Sequence, residues 1–167
     1  MTRRILLLLI CVAGLSSCKV SYSFSGTSIQ EDVNTISINY IEYKAMRVNP
    51  NLSNELTEAL RNQFRRMTRL EQVELDGDMD IAGEITGYDI SPAAVTADDV
   101  AARNKLTVTV KIVFTNRKYP EDDFNKSFSA YAEYDSTNTI DAVESALCAE
   151  IVEKLVEDIF NASVAQW

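Results

Sequence analysis

The residues that most clearly predict chemistry lie near the start of the chain, at Leu15-Ser16-Ser17-Cys18. A branched apolar residue and two small residues before a cysteine form the pattern called a lipobox. The cysteine thiol is the nucleophile that accepts diacylglycerol, and the small residues give a peptidase access to the backbone. A pair of arginines and the apolar or small run from Ile5 to Leu15 precede this pattern, as in a signal peptide. The sequence therefore predicts a signal peptide over 1–17 and lipidation at Cys18.

The apolar run is too short to cross a membrane. Its eleven residues would span roughly 16 Å as a helix, about half of a bilayer core. Each buried methylene of an acyl chain contributes about 0.8 kcal/mol, so two or three chains on Cys18 would make a permanent anchor. Lys19 follows the cysteine, rather than the aspartate that favours inner-membrane retention in enterobacteria. We expect an outer-membrane lipoprotein that faces the periplasm; ordinary secretory cleavage with a free Cys18 thiol is the alternative.

The composition argues against an enzyme. The 167-residue chain has no histidine, which excludes Ser-His-Asp and Cys-His catalysis and histidine-containing zinc sites. Its formal charge is −9, and removal of Arg3 and Arg4 leaves 14 basic residues against 25 acidic ones. This balance disfavours nucleic-acid binding. No metal or cofactor is expected, and Cys148, the one thiol left after processing, is predicted to be a small core residue.

The periodicity of apolar residues predicts one domain over 33–167, preceded by a lipidated tether over 18–32. Alternation predicts half-buried strands, with a bulge at Gly87 where the buried parity changes, and spacings of three and four predict amphipathic helices. Asn51 or Ser53 is the expected cap of the first helix. The predicted elements are a strand over Thr35–Ile41, a helix over Leu52–Leu70, strands over Met79–Ile90, Lys105–Asn116 and Asp123–Tyr134, and a helix over Thr139–Ala162.

Each predicted strand has one apolar face and each predicted helix has one apolar stripe. The fold class that buries all of these surfaces is α+β, a two-layer sandwich in the order β-α-β-β-β-α. Two helices pack on one face of a mixed, mostly antiparallel sheet of four to five strands. The other face of the sheet carries threonine, serine, lysine and glutamate and meets water or a polar partner.

Four arginines near the end of the first helix are the candidate binding residues. Arg61, Arg65 and Arg69 recur at intervals of four, with Arg66 beside them, in an otherwise acidic protein. Guanidinium groups match phosphate oxygens, so these side chains are candidates for contact with phosphates or other anions. The alternative is a solvated face whose cations suit the negative end of the helix dipole.

Two other features have structural explanations in the sequence, and a third is left open. The Asp76-Gly77-Asp78-x-Asp80 cluster lacks the spacing of a calcium-binding loop, which favours a turn. The acidic residues of the last helix are predicted to form a solvated face. The connection Ser91–Arg103 is longer than a hairpin needs and unusually apolar, and the sequence favours partner contact and disorder equally.

The mature chain resembles the LptE family of lipopolysaccharide-assembly lipoproteins, in the form found in Bacteroides-like bacteria. The resemblance covers the mature chain in order and includes its closing Trp167. The segments that carry it are Cys18–Gly26 (CKVSYSFSG), Val48–Ser53 (VNPNLS), Gly83–Tyr88 (GEITGY) and Ile151–Phe160 (IVEKLVEDIF).

The resemblance implies a non-enzymatic subunit with a helix-on-sheet fold. Such proteins sit inside the outer-membrane barrel LptD, plug it, assist its assembly and help pass lipopolysaccharide to the outer leaflet. A basic patch contacts lipopolysaccharide in enterobacterial relatives, but no motif here matches it position by position. Arg61, Arg65, Arg66 and Arg69 are therefore candidates from their own chemistry. A free-standing periplasmic lipoprotein that binds lipid or glycolipid is the alternative function.

Overall fold

The computed structural model describes residues 29–47, 49–93 and 102–164. Over these residues the chain forms a six-stranded sheet and two α-helices, and the α+β class is confirmed. The elements are β1 (Thr35–Ile38), β2 (Glu42–Tyr43), α1 (Leu52–Met67), β3 (Glu71–Val73), β4 (Met79–Pro92), β5 (Arg103–Asn116), a 3-10 turn (Pro120–Asp122), β6 (Phe124–Asp135) and α2 (Ile140–Val164).

The sheet is mixed, as predicted, with the strand order β3-β1-β4-β5-β6. β1 pairs in parallel with both β3 and β4, and β2 continues the same side of β4. β4, β5 and β6 form a long antiparallel meander in which Ile81 lies opposite Phe114, and Val110 lies opposite Phe128. The helices therefore rest on a platform made mainly of three long strands.

The predicted bulge in β4 is present. Ile85 pairs with Val110 and Gly87 pairs with Thr109, so Thr86 is an extra residue on β4. A bulge of one residue moves the next side chains to the opposite face of the sheet. Ile85 and Tyr88 are consequently both buried, although their separation of three would place them on opposite faces of a regular strand.

Both helices pack on the same face of the sheet and enclose the core between the layers. Phe64 of α1 contacts Phe160 of α2 edge to face, with ring centroids 5.1 Å apart. The other sheet face, which we call the open face, carries mainly polar residues such as Thr107, Thr109 and Lys111. The largest fully buried side chains are Ile36, Ile41, Leu52, Leu56, Leu60, Phe64, Ile81, Ile85, Leu106, Ile112, Phe114 and Ile151.

The first strand is shorter than its alternation predicts. β1 ends at Ile38, and the chain then turns so that Tyr40 is 55% exposed while Ile41 is fully buried. The backbone N–H of Ile41 donates to Thr57 Oγ1 of α1, at 3.1 Å. β2 contains two residues and β3 contains three. The sequence does not predict these strands, because an alternation of apolar and polar residues can be recognised only over at least four residues.

The first helix also differs from its prediction at both ends. Asn49, and neither Asn51 nor Ser53, supplies the capping oxygen: its Oδ1 accepts from the N–H groups of Asn51 and Leu52, at 3.1 and 3.3 Å. The helix ends at Met67 rather than Leu70, because Thr68 is extended. Both the N–H and the hydroxyl of Thr68 donate to the Phe64 carbonyl, which closes the last turn.

Candidate functional site

The four candidate arginines do not form one continuous cationic stripe. Arg61, Arg65 and Arg66 lie on the last turns of α1, whereas Arg69 follows the end of the helix and lies on the extended segment that leads to β3. The spacing of four residues between Arg65 and Arg69 therefore does not place the two side chains on one face of a helix. Each side chain has to be placed by its own contacts.

Arg61 joins the helix to the sheet. Its Nε and Nη2 donate to the Ile38 carbonyl at the end of β1, at 3.3 and 2.9 Å. Its Nη1 also forms an ion pair with Glu58 at 2.8 Å. About a third of the Arg61 side chain remains exposed, 36% by area. This guanidinium is thus largely committed to holding α1 against β1.

Arg65 and Arg69 both lie near the edge of the sheet that β1 and β3 form. Arg65 donates to Asn62 Oδ1 at 3.0 Å and to Gln72 Oε1 at 3.3 Å. Arg69 donates to the Gln30 carbonyl at 2.6 Å and to Asn34 Oδ1 at 3.3 Å. Both side chains are exposed, and neither contacts a carboxylate within the described part of the chain. Their charges remain available to an anion in solvent.

Arg66 points to a different place, the groove between α1 and α2. Its Nη2 donates to Gln63 Oε1 at 3.2 Å, and it contacts no carboxylate of the described residues. The groove has a volume of about 810 Å³ and an apolar floor that includes Val152, Val156 and Phe160. Glu153 lies on its rim. The structure therefore divides the arginines into three above the edge of the sheet and one beside the helical groove.

A partly buried polar cluster that the sequence did not reveal lies near the start of α2. The Tyr88 hydroxyl donates to Glu144 and lies 3.8 Å from Cys148 Sγ, while Asn49 Nδ2 donates to the same sulfur at 3.5 Å. Glu144 is one of the acidic residues of the last helix for which the sequence predicts a solvated face. The prediction is wrong for this residue, because its position in the sequence does not show that Tyr88 reaches it.

Burial makes this cluster a poor source of nucleophiles. It raises the pKa of the Cys148 thiol, and burial together with the Glu144 hydrogen bond raises the pKa of Tyr88. A buried thiol with a raised pKa carries little thiolate at neutral pH and reacts slowly. The prediction that Cys148 is a small core residue agrees with its 2% exposure.

The aspartates around Gly77 form a turn and a set of hydrogen-bond acceptors. Asp78 Oδ2 accepts from the N–H groups of Asn34 and Thr35, at 2.8 and 3.1 Å, and these bonds lower the pKa of Asp78. Asp76 pairs with Arg117 at 3.0 Å, and its φ of 58° marks the turn. Within residues 29–47, 49–93 and 102–164, no group of three or more acidic or cysteine side chains is arranged to hold a metal ion.

Two predicted features lie wholly or partly outside the described residues. Cys18, with the signal peptide and most of the tether, precedes Ile29, the first residue that the structure describes. Of the connection Ser91–Arg103, both ends belong to strands, since Ser91 and Pro92 complete β4 and Arg103 begins β5. Residues 94–101 lie outside the description. None of the helices that the structure describes is long and apolar enough to cross a bilayer.

Comparison with known families decides which proteins this chain is related to. The family model LptE, described as lipopolysaccharide-assembly, matches residues 33–163, which is almost the whole of the predicted domain. The chain belongs to the LptE family. This membership places the protein in lipopolysaccharide assembly, among non-enzymatic lipoproteins associated with the outer membrane.

Solved structures give the LptE-family chain its structural neighbours. The hypothetical protein CT253 from Chlamydia trachomatis superimposes with a TM-score of 0.52 at 10% identity, over 80% of this chain and 99% of that one. This likeness shows a shared fold. A minor lipoprotein from Acinetobacter baumannii has a TM-score of 0.44 at 14% identity, over 76% of this chain and 89% of its own. No curated protein matches the sequence.

Proposed function

We propose that this LptE-family protein is the lipoprotein subunit of the lipopolysaccharide translocon in the outer membrane. In this role it occupies and plugs an LptD-like β-barrel, assists the assembly of that barrel, and helps insert lipopolysaccharide into the outer leaflet. Cys18 carries the acyl chains that hold it on the periplasmic side. The observation that carries the proposal is the family match over residues 33–163, because it covers the complete two-layer domain rather than one motif.

The surface of the domain supports this role. The interior of a large barrel is polar and filled with water, so a plug needs a polar exterior. The open face of the sheet supplies one, with Thr107, Thr109 and Lys111 on β5 and Ser127 and Ser129 on β6. The described helices offer no membrane-spanning segment, and the lipid on Cys18 would supply the attachment.

The exposed arginines are the proposed contacts for the phosphate groups of lipopolysaccharide. Arg65, Arg66 and Arg69 have no carboxylate partner among the described residues, so an incoming anion would displace only hydrogen bonds to neutral groups. Arg61 belongs to the same candidate set but donates to the Ile38 carbonyl and pairs with Glu58. We therefore expect Arg61 to contribute less to ligand affinity than its three neighbours.

Affinity purification of the tagged, full-length protein from membranes tests the proposal. We expect an outer-membrane barrel to co-purify in near-equal amount, and the Cys18→Ser variant to leave the membrane fraction and lose the barrel. Mass spectrometry of the amino terminus identifies the acyl chains. Recovery of the wild-type protein alone, from membranes in which the barrel is present, would refute the plug role.

The groove between α1 and α2 is the observation that favours the alternative, a free-standing periplasmic lipoprotein that binds lipid or glycolipid. Its volume of about 810 Å³ and the apolar side chains of Ala59, Val156 and Phe160 could accept part of an acyl chain. In this case the purified protein binds a lipid without any barrel. An Ala59→Glu substitution, at a partly exposed residue of the groove, would reduce that binding, whereas it would leave barrel co-purification intact.

A further inference from the structure

The outer edge of β6 is long and regular. β6 runs from Phe124 to Asp135, pairs only with β5 among the described strands, and has no register shift along that pairing. Its first nine residues, Phe124–Ala132, contain no proline and only one charged residue, Lys126. Proteins usually protect such edges with bulges, prolines, charges or a cover. At the opposite edge β3 has only three residues and is protected by its shortness.

The hydrogen bonds at the end of β6 show which backbone groups face outward. The N–H of Ser136 donates to the Ala102 carbonyl at 3.1 Å, so Ser136 and Ala102 form a hydrogen-bonded pair. Hydrogen-bonded pairs alternate along an antiparallel ladder, so the even-numbered residues of β6 point their backbone groups toward β5. The odd-numbered residues, from Asn125 to Glu133, point theirs outward. Lys154 Nζ, which reaches the Tyr131 carbonyl at 2.8 Å, agrees with this assignment.

These outward groups form an unused ladder. Lys154 contacts the carbonyl of Tyr131. The outward backbone groups of the other odd-numbered residues have no hydrogen-bond partner among the described residues; these residues are Asn125, Ser127, Ser129 and Glu133. An unpaired ladder of this kind binds an additional extended segment by main-chain hydrogen bonds, and the flanking side chains select the segment. On the helix side, Phe124 and Phe128 are only half-buried and would gain cover from such a strand.

The chain itself enters the described domain beside the turn that precedes β6. Gln30 Nε2 donates to Asp122 Oδ2 at 3.2 Å, and the Tyr119 hydroxyl donates to Asp32 Oδ1 at 2.9 Å. Asp122 lies just before β6. The eleven residues from Cys18 to Ser28 reach at most about 40 Å, which equals the roughly 40 Å length of the twelve-residue strand.

The sequence of that segment has the pattern of a half-buried strand. Val20, Tyr22 and Phe24 alternate with three serines, which is the period of two that distinguishes strands. We propose that Lys19–Ser25 of this same chain docks on the outer edge of β6. The segment leads toward Gln30, whose side chain reaches Asp122 just before β6, so its direction is antiparallel to that strand.

Both sets of side chains agree with this docking. When Ser23 pairs with Ser127, the serines lie on the open face beside the polar residues of β6. Val20, Tyr22 and Phe24 then lie on the helix side, where Tyr22 covers Phe128. The docking also carries Cys18 past Tyr131 toward the Asp135 end of the sheet. The acyl anchor would therefore lie near the start of α2, and not at the end of the domain where Ile29 is found.

Hydrogen exchange of the acylated wild-type protein in detergent tests whether the edge is occupied. Even-numbered amides of β6 are bonded to β5 and serve as the internal control. If the edge is occupied, the amides of Ser127 and Ser129 exchange about a thousandfold or more slowly than unbonded amides, as the even-numbered ones do. Exchange of these two amides at the rate of an exposed loop would overturn the proposal, and no substitution is involved.

A disulfide trap identifies the occupant. Ser23→Cys together with Ser127→Cys is expected to form an intramolecular link in the oxidising periplasm, found by mass spectrometry of the monomer, because paired residues of this kind have Cα atoms about 5.5 Å apart. The matched control pairs Ser23→Cys with Thr86→Cys, an exposed residue of β4 two strands away, and should not link. A linked dimer would identify a second copy as the occupant; either that dimer or equal linking in both pairs contradicts the proposal.

Discussion

Removing the Arg61 side chain separates the structural and the ligand-binding roles of the arginines. Arg61→Ala deletes two charged hydrogen bonds to the Ile38 carbonyl and an exposed ion pair with Glu58. A hydrogen bond to a charged group contributes about 1.5–3 kcal/mol, whereas an exposed ion pair contributes about 0–1 kcal/mol. Because a third of Arg61 is in solvent, water replaces part of the loss. We expect a loss of about 2 kcal/mol in the free energy of unfolding.

Thermal unfolding measures this loss. For a domain of this size each kcal/mol lowers Tm by about 2–4 °C, so the expected decrease is about 4–8 °C. Arg65→Ala is the matched control, since Arg65 lies one turn later and donates only to the neutral side chains of Asn62 and Gln72. It should change stability by less than about 0.5 kcal/mol. Equal effects of the two substitutions, or no effect of Arg61→Ala, would show that the Ile38 contact does not hold α1 to the sheet.

Three further predictions concern binding, packing and pH. Combined substitution of Arg65, Arg66 and Arg69 by glutamate should weaken lipopolysaccharide binding in a salt-dependent manner while the protein remains folded; unchanged affinity would mean that these side chains are only solvated. In Gly77→Ala the new Cβ would lie 2.5 Å from the backbone nitrogen of Ser37, so urea titration should show a loss of about 3 kcal/mol in the free energy of unfolding. Gly87→Ala is the milder control, because its Cβ would meet nothing closer than 3.1 Å. The hydrogen bonds from Asn34, Thr35 and Lys118 hold the pKa of Asp78 below its usual range, so the Asp78 carboxylate stabilises the fold fully at neutral pH. This stabilisation is lost as the pH falls through the lowered pKa, so the difference in unfolding free energy between wild type and Asp78→Asn should shrink in acid. A difference that stays constant with pH would contradict the prediction.

The long elements could be predicted from the sequence because each has a repeating pattern. The alternation of β5 and the three-and-four spacing of α1 each extend over many residues, so one face is identified several times. The bulge at Gly87 could also be predicted, because the apolar residues change from odd to even positions there. β2 and β3 have no such repetition, and their pairing depends on strands that are distant in the chain.

The candidate site was only partly predictable. The sequence identified four neighbouring arginines, but not that Arg61 reaches the Ile38 carbonyl or that Arg66 faces the helical groove. Those differences depend on where α1 lies on the sheet and on its end at Met67, which removes Arg69 from the helix. In the same way, Glu144 has the sequence context of a solvated carboxylate until Tyr88 is brought next to it.

The order of residue types within single segments was enough to predict the class of the fold and the polar and apolar sides of its long elements. It also predicts the anchor at Cys18, because a lipobox is a local pattern. The packing of the described elements shows which charges are held by backbone carbonyls, which are open to an anion, and which edge of the sheet has no neighbour among the described strands. Those properties arise when segments far apart in the chain come within hydrogen-bond distance. The residue pattern of a single segment does not show which atoms of other segments it will contact.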